Sequence, residues 1–117
     1  MDDTRKQRLI AADIDVDSAL ARFMNNEALF ERFLGKFPAD DNYGKLTAAI
    51  ASGDRDTALT ASHTLKGVSG NLSLTALYDL TDRQVKAMRA DDWDAACAMM
   101  GEITAAYEKA VGAITAE

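Results

Sequence analysis

The sequence has only one cysteine, Cys97, and one histidine, His63. A single cysteine cannot form an internal disulfide, and these two residues cannot supply the three or four ligands of a typical zinc site. Proline is equally scarce, with Pro38 alone, and valine and isoleucine together occupy 9 of 117 positions. Alanine occupies 22 positions, so the composition favours helices over strands.

Basic residues are fewer than acidic ones. The chain has 13 lysine and arginine residues against 19 aspartate and glutamate residues, which gives a formal net charge of −6. This balance opposes binding to the phosphate backbone of a nucleic acid. Met1 is followed by acidic residues, and no apolar run approaches the roughly 18 residues of a membrane span. We therefore expect a cytoplasmic protein without nucleic-acid or membrane partners.

The length of 117 residues, with 48% hydrophobic and 27% charged residues, is typical of one globular domain. Residues 1–12 are mostly polar and are expected to form an N-terminal tail. Residues 13–117 then make up the folded domain.

From residue 16 onward, apolar residues recur at intervals of three and four, as on one face of a helix. Turn signals divide this pattern into a short leader helix, for which Asp17 is the expected N-cap, and several longer helical segments. The longer segments are residues 29–37, 43–52, 54–72, 74–90 and 93–114. No segment alternates with the period of a half-buried strand, and the helices are too short for a coiled coil. The sequence therefore predicts an all-α fold, an antiparallel four-helix bundle with a short N-terminal leader helix.

The most regular segment carries the histidine. Its expected core stripe consists of Ala58, Ala61, Leu65, Val68 and Leu72. On a wheel of 100° per residue, His63 lies almost opposite this stripe and is expected to face solvent. Residues three, four or seven positions away share its face, namely Leu59, Thr60, Lys66, Gly67 and Gly70.

Two of these neighbours, Gly67 and Gly70, are costly in a helix interior, by about 0.8 to 1 kcal/mol each relative to alanine. Without side chains they let another molecule approach the imidazole closely. Two structural alternatives remain open, that Gly70 ends the helix and that Gly67 fits a tight helix contact. Leu59 either adds an apolar contact or is one of the single exposed leucines common on protein surfaces.

His63 and Lys66 together suggest a site for an anion. Neutral imidazole, a form well populated near neutral pH, is a good nucleophile. Lys66 lies one turn away and places an ammonium beside an anion that the ring meets. Further basic residues on the next helix are Arg83, Lys86 and Arg89. In a chain of net charge −6, this grouping suggests an anionic or acidic partner.

The stretch from residue 63 to 72, HTLKGVSGNL, resembles the signature of the histidine-containing phosphotransfer (HPt) family. In that family the histidine is followed by an apolar residue, a lysine and a glycine at the second, third and fourth positions. Leu65, Lys66 and Gly67 occupy these positions here. The helical organisation extends the resemblance over about residues 14–114.

The resemblance implies an antiparallel four-helix bundle that serves as a phosphocarrier and not as an enzyme. Such a protein moves a phosphoryl group between the aspartates of receiver domains in a multistep two-component phosphorelay. His63 is then the phosphoacceptor, Lys66 neutralises the phosphoryl oxygens, and Gly67 keeps the approach open. The receiver-docking residues implied are Leu59, Thr60, Gly67 and Gly70.

The implied partners are response-regulator receiver domains and a hybrid histidine kinase. A docking module of this size is expected to be a monomer. Members of the family have no ATP site of their own, and the sequence contains no GxxxxGK[ST] phosphate loop. The resemblance implies no cofactor and no metal in this chain.

Two positions depart from the family pattern. Ser73 stands where relatives often have glycine. The glutamine that contacts the histidine in some relatives corresponds to Gln84, but its wheel position falls within the apolar stripe, which predicts a buried structural residue.

Two other functions compete with the carrier. An enzyme with His63 as general acid or base is disfavoured, because the expected setting is open and no second titratable group converges on the ring. A helical interaction module that carries no phosphate is the remaining alternative.

Overall fold

The computed structural model describes residues 1–116, and all of its regular elements are helical. They are α1 (Asp3–Ala11), α2 (Val16–Arg22), α3 (Glu27–Lys36), a 3₁₀ turn (Phe37–Ala39), α4 (Asn42–Ser52), α5 (Arg55–Asn71), α6 (Thr75–Arg89), α7 (Trp93–Ala98) and α8 (Met100–Thr115). The all-α prediction is confirmed. The predicted last helix is divided at Met99, where the backbone N–H bonds back to the Ala96 carbonyl and tightens the turn.

Five of the helices begin at a side chain that caps the first turn. The caps are Asp2, Asp15, Asn26, Asp54 and Asp92. Each accepts a hydrogen bond from the backbone N–H three residues later, which stabilises a helix by about 0.5 to 2 kcal/mol. The prediction of Asp17 as the cap of the leader helix was wrong, because α2 begins earlier and Asp15 accepts from the Ser18 N–H at 3.1 Å.

The four-helix bundle consists of α4, α5, α6 and the consecutive pair α7 and α8, with α5 packed against both α4 and α6. Tyr43 and Tyr107 join α4 to α8, since their rings stack with centroids 3.9 Å apart. The Tyr43 hydroxyl also lies 2.8 Å from Thr104 Oγ1. Large side chains that fill the core include Phe30, Leu34, Phe37, Leu46, Leu65, Leu77 and Ile103. Interiors packed in this way deform little, so α5 is a rigid support for the residues on its outer face.

The N-terminal segment is helical and docked on the bundle. Residues 1–12 were expected to form a polar tail, whereas Asp3–Ala11 is α1 and its Leu9 is fully buried. Arg5 donates to the carbonyls of Ala113 and Ile114 at 3.2 and 2.8 Å. These carbonyls lie in the last turn of α8, where helix hydrogen bonding leaves acceptors without partners. The buried leucine and the arginine thus help to hold this polar segment on the bundle, together with ion pairs from Met1 and Lys6 to α3 and α2.

The turn between α5 and α6 contains Ser73, which adopts a left-handed conformation with φ 56°. This is the conformation that glycine adopts most easily, in agreement with the glycine often found there in the family that the sequence resembles. Ser73 Oγ donates to Ser18 Oγ at 3.3 Å, and the Asp15 N–H donates to the Ser73 carbonyl. The turn therefore also anchors α2 to the bundle.

None of the helices within residues 1–116 is both long and apolar enough to cross a lipid bilayer.

Candidate functional site

His63 lies near the middle of α5, and its side chain is exposed. The opposite stripe of the helix faces the core, as the periodicity predicted. Ala58, Ala61, Leu65 and Leu72 are buried, and Val68 is partly buried against them. The imidazole is therefore presented to solvent by a helix whose other side is held in the bundle.

The two glycines beyond His63 have different surroundings. Among residues 1–116, no atom of another part of the fold lies within 4 Å of a Cβ built on Gly67. A Cβ on Gly70 would lie 3.2 Å from two ring carbons of Tyr78 on α6. The alternative of a tight helix contact at Gly67 is therefore wrong, and the close contact lies at Gly70, for which it was not predicted. Helix α5 ends at Asn71, one residue after Gly70, in agreement with the helix end that the sequence left open at this position.

Lys66, one turn from His63, is paired with a carboxylate on the neighbouring helix. Its Nζ lies 3.0 Å from Asp82 Oδ1, and the two side chains are 25% and 22% exposed. The other oxygen of Asp82 lies 2.9 Å from Lys86 Nζ. The pKa of Asp82 is held below its ordinary value by its contacts with Lys86 first and Lys66 second. The pKa of Lys86 is raised by Asp82 in return.

The positive region expected around the histidine is largely compensated by acidic residues of α6. Besides the pairing of Asp82, Arg83 Nε lies 3.2 Å from Asp79 Oδ2. The sequence pattern did not predict that Asp82 neighbours Lys66. The available signal was the spacing of four residues from Asp82 to Lys86, which predicts an ion pair on α6 but not its extension to α5.

A cleft of about 480 Å³ adjoins Lys66, Gly67 and Gly70. Tyr78, 42% exposed, forms part of its wall, and its ring centroid lies 6.0 Å from the Lys66 ammonium. Arg22 of α2 also lines this cleft. Tyr78 and Arg22 were not among the predicted site residues, because only the packing of α2 and α6 brings them next to α5.

Leu59 and Thr60, which lie on the same face one turn before His63, have different surroundings. Leu59 is partly buried and shares a cleft of about 210 Å³ with Met88 and Trp93. Thr60 is exposed, and its carbonyl accepts a hydrogen bond from Thr64 Oγ1 at 2.9 Å.

Gln84 is fully buried and makes its hydrogen bonds within the bundle. Its Oε1 accepts from Ser62 Oγ at 2.8 Å, and its Nε2 donates to the Ala96 carbonyl at 3.0 Å. The prediction of a structural glutamine is confirmed. Its partner Ser62 immediately precedes His63, so Gln84 helps to fix the backbone that carries the imidazole.

A family model described as the Hpt domain matches residues 29–113 of the chain. The match includes most of α3, all of α4 to α7 and nearly all of α8, together with every residue of the site around His63 except Arg22. Neither a curated protein nor a solved structure matches the chain.

Proposed function

The chain belongs to the Hpt domain family, and from this premise we propose that it carries a phosphoryl group on His63 between aspartates of receiver domains in a multistep phosphorelay. The observation that supports the proposal most directly is the exposed imidazole beside the open space over Gly67. A phosphoryl donor on another protein must bring its reactive atoms to bonding distance, and a convex helix with a missing side chain permits that approach.

The transfer requires little covalent chemistry from the carrier. A neutral imidazole nitrogen of His63 attacks phosphorus in line with the bond to the aspartate oxygen of the donor, that bond breaks, and a carboxylate leaves. The ring keeps the proton on its other nitrogen, so charge is conserved in the step. Reversal passes the phosphoryl group to the next aspartate.

Each residue around the ring has a proposed part in this step. Lys66 neutralises oxygens of the phosphoryl group, because a lysine ammonium is a strong donor to phosphate. Gly67 leaves room for the donor domain. Leu59, Thr60 and Gly70 border the docking surface, and Gly70 does so by letting Tyr78 pack closely against α5.

The remaining catalytic groups, including any metal ion, belong to the receiver in this proposal. A hybrid histidine kinase supplies the phosphoryl group through its receiver domain, and a response regulator accepts it. The chain acts as a monomer and as a carrier, not as an enzyme.

Labelling with a small phosphodonor tests the assignment. Phosphoramidate transfers its phosphoryl group to an imidazole nitrogen, and ammonia leaves as the phosphorus–nitrogen bond of the donor breaks. Because His63 is the one histidine of the sequence, tag-free protein gives an unambiguous readout. We expect an acid-labile, alkali-stable label on the wild type that is absent from His63→Gln.

Transfer from isolated phosphorylated receiver domains then tests the relay itself. The expected result is receiver-dependent labelling of His63 that reverses when unphosphorylated receiver is added. A folded protein that binds receivers but is labelled neither by them nor by phosphoramidate would instead be a phosphate-free interaction module.

A further inference from the structure

The Lys66 ammonium, one turn from His63, already has an ion-pair partner on another helix, Asp82 of α6. Lys66 Nζ lies 3.0 Å from Asp82 Oδ1, and about three quarters of each side chain is shielded from solvent. Solvent and salt weaken a shielded ion pair less than a fully exposed one. In the unphosphorylated protein, Asp82 therefore neutralises the positive charge of Lys66.

Asp82 is shared between two lysines, one on each carboxylate oxygen. Oδ1 contacts Lys66 and Oδ2 contacts Lys86 at 2.9 Å. If Lys66 moves away, Lys86 continues to neutralise the carboxylate, so no isolated charge is left behind. Lys86 thus lowers the free-energy cost of moving Lys66 away from Asp82.

The presence of Tyr78 gives the Lys66 side chain a defined place on the α6 side of the site. The ammonium lies 6.0 Å from the centroid of the Tyr78 ring, within range of a weak cation–π attraction. Gly67, the next residue after Lys66, is open on its outer side. The lysine stem is flexible, so the ammonium can swing from Asp82 toward an anion on the exposed face without any backbone movement.

On the basis of the proposed function, we infer that Asp82 holds the Lys66 ammonium in the unphosphorylated protein and releases it to the phosphoryl group on His63, while Lys86 keeps Asp82 neutralised. Asp82 is therefore a positioning residue that acts through Lys66. A phosphoryl group carries close to two negative charges, so it attracts the ammonium more strongly than a shared carboxylate does. Competition from Asp82 therefore lowers the preference for the phosphorylated state.

The first test compares the rate of His63 labelling by phosphoramidate in the wild type and in Asp82→Asn. Removing the competing carboxylate frees Lys66, and we expect labelling to accelerate about two- to fivefold, which corresponds to losing one ion pair near the protein surface. The matched control is Asp79→Asn, which makes the same charge change one turn earlier on α6 but removes a partner of Arg83. We expect Asp79→Asn to stay close to the wild type.

A double-variant cycle separates an effect through Lys66 from a general charge effect. In a Lys66→Gln background, Asp82→Asn should give no acceleration beyond that of Asp79→Asn. Lys86→Gln should slow labelling, because Asp82 then has Lys66 as its one remaining ion-pair partner and holds it more tightly. Arg83→Gln is the charge-matched control on the same helix. Circular dichroism verifies that each surface variant is folded.

Two outcomes would overturn the inference: equal rates for Asp82→Asn and Asp79→Asn, or an acceleration that persists without Lys66. NMR of the lysine ammonium groups adds a readout independent of rate. The Lys66 signal, assigned by its loss in Lys66→Gln, should differ between the unphosphorylated wild type and unphosphorylated Asp82→Asn, and should become similar in the two proteins after phosphorylation. Absence of labelling in the wild type itself would count against the proposed function, and not specifically against the role of Asp82.

Discussion

Ser62 Oγ donates a hydrogen bond of 2.8 Å to Gln84 Oε1, and both residues are fully buried. The bond ties α5 to α6 at the residue that precedes His63. A second bond, from Gln84 Nε2 to the Ala96 carbonyl, extends the connection to α7. Three helices of the bundle therefore meet at one amide, which is bonded to the residue next to His63.

Gln84→Ala should destabilise the fold by about 2 to 4 kcal/mol. The change leaves Ser62 Oγ and the Ala96 carbonyl without their partner and opens a cavity, and each of these effects is costly in a core. Urea denaturation gives the free energy of unfolding, with the exposed Arg89→Ala on the same helix as a control expected within about 0.5 kcal/mol of the wild type. A stable Gln84→Ala that has lost only its labelling would place the amide in the site and contradict this assignment.

Alanine at Gly67 and at Gly70 should have different effects on stability. At Gly67 the new methyl group meets open space, so the helix gains up to about 1 kcal/mol from the better intrinsic propensity of alanine. At Gly70 the methyl group lies 3.2 Å from Tyr78 ring carbons, and the ring must shift to admit it. Thermal unfolding of the two variants measures the difference, and an equal gain in both would show that Tyr78 moves without cost.

A large side chain at Gly67 should block transfer between proteins while leaving the chemistry of the imidazole intact. We expect Gly67→Leu to reduce labelling by a phosphorylated receiver domain at least about tenfold, because the displaced partner can no longer align with the ring. Labelling by phosphoramidate, which is small, should change little. Gly112→Leu, at another open and exposed helix position on α8, is the control. Equal loss with both donors would mean that the substitution disturbs His63 itself.

The ion pairs of Asp82 should make stability depend on pH in a defined direction. The pKa of Asp82 is lowered in the folded protein by Lys86 and Lys66, so its stabilising effect is present above the ordinary carboxyl value of 3.8 and is lost as the pH falls through the lowered value. The difference in unfolding free energy between the wild type and Asp82→Asn should accordingly be full at neutral pH and vanish in strong acid. High salt should reduce the same difference at neutral pH. A difference that does not vary with pH would show that the position of the side chain, and not its charge, is what matters.

Much of the fold and part of the site could be predicted from the chain alone, because they depend on relations within a few residues. The helical repeat places His63 opposite the stripe of Leu65 and Leu72, and this relation holds wherever the helix packs. The cap at Asp54 and the left-handed Gly53 are equally local, since their hydrogen bonds span three or four residues. The HTLKGVSGNL stretch is likewise read from the sequence without reference to any other element.

The remaining features of the site depend on how the helices are rotated and how closely they approach. Lys66 meets Asp82, and Gly70 meets the ring of Tyr78, across the interface of α5 and α6. Neither pairing follows from spacing along the chain, because a rotation of one helix by a single residue would replace both neighbours.

Helix formation, the apolar face of α5 and the imidazole and lysine on its other face all follow from the order of residues along the chain. The packing of the helices adds that this lysine is held by Asp82, that Gly67 is open while Gly70 is not, and that Leu9 anchors a polar segment on the bundle. Helix propensity and capping act over one turn, whereas the contacts between helices depend on the packing of the whole core.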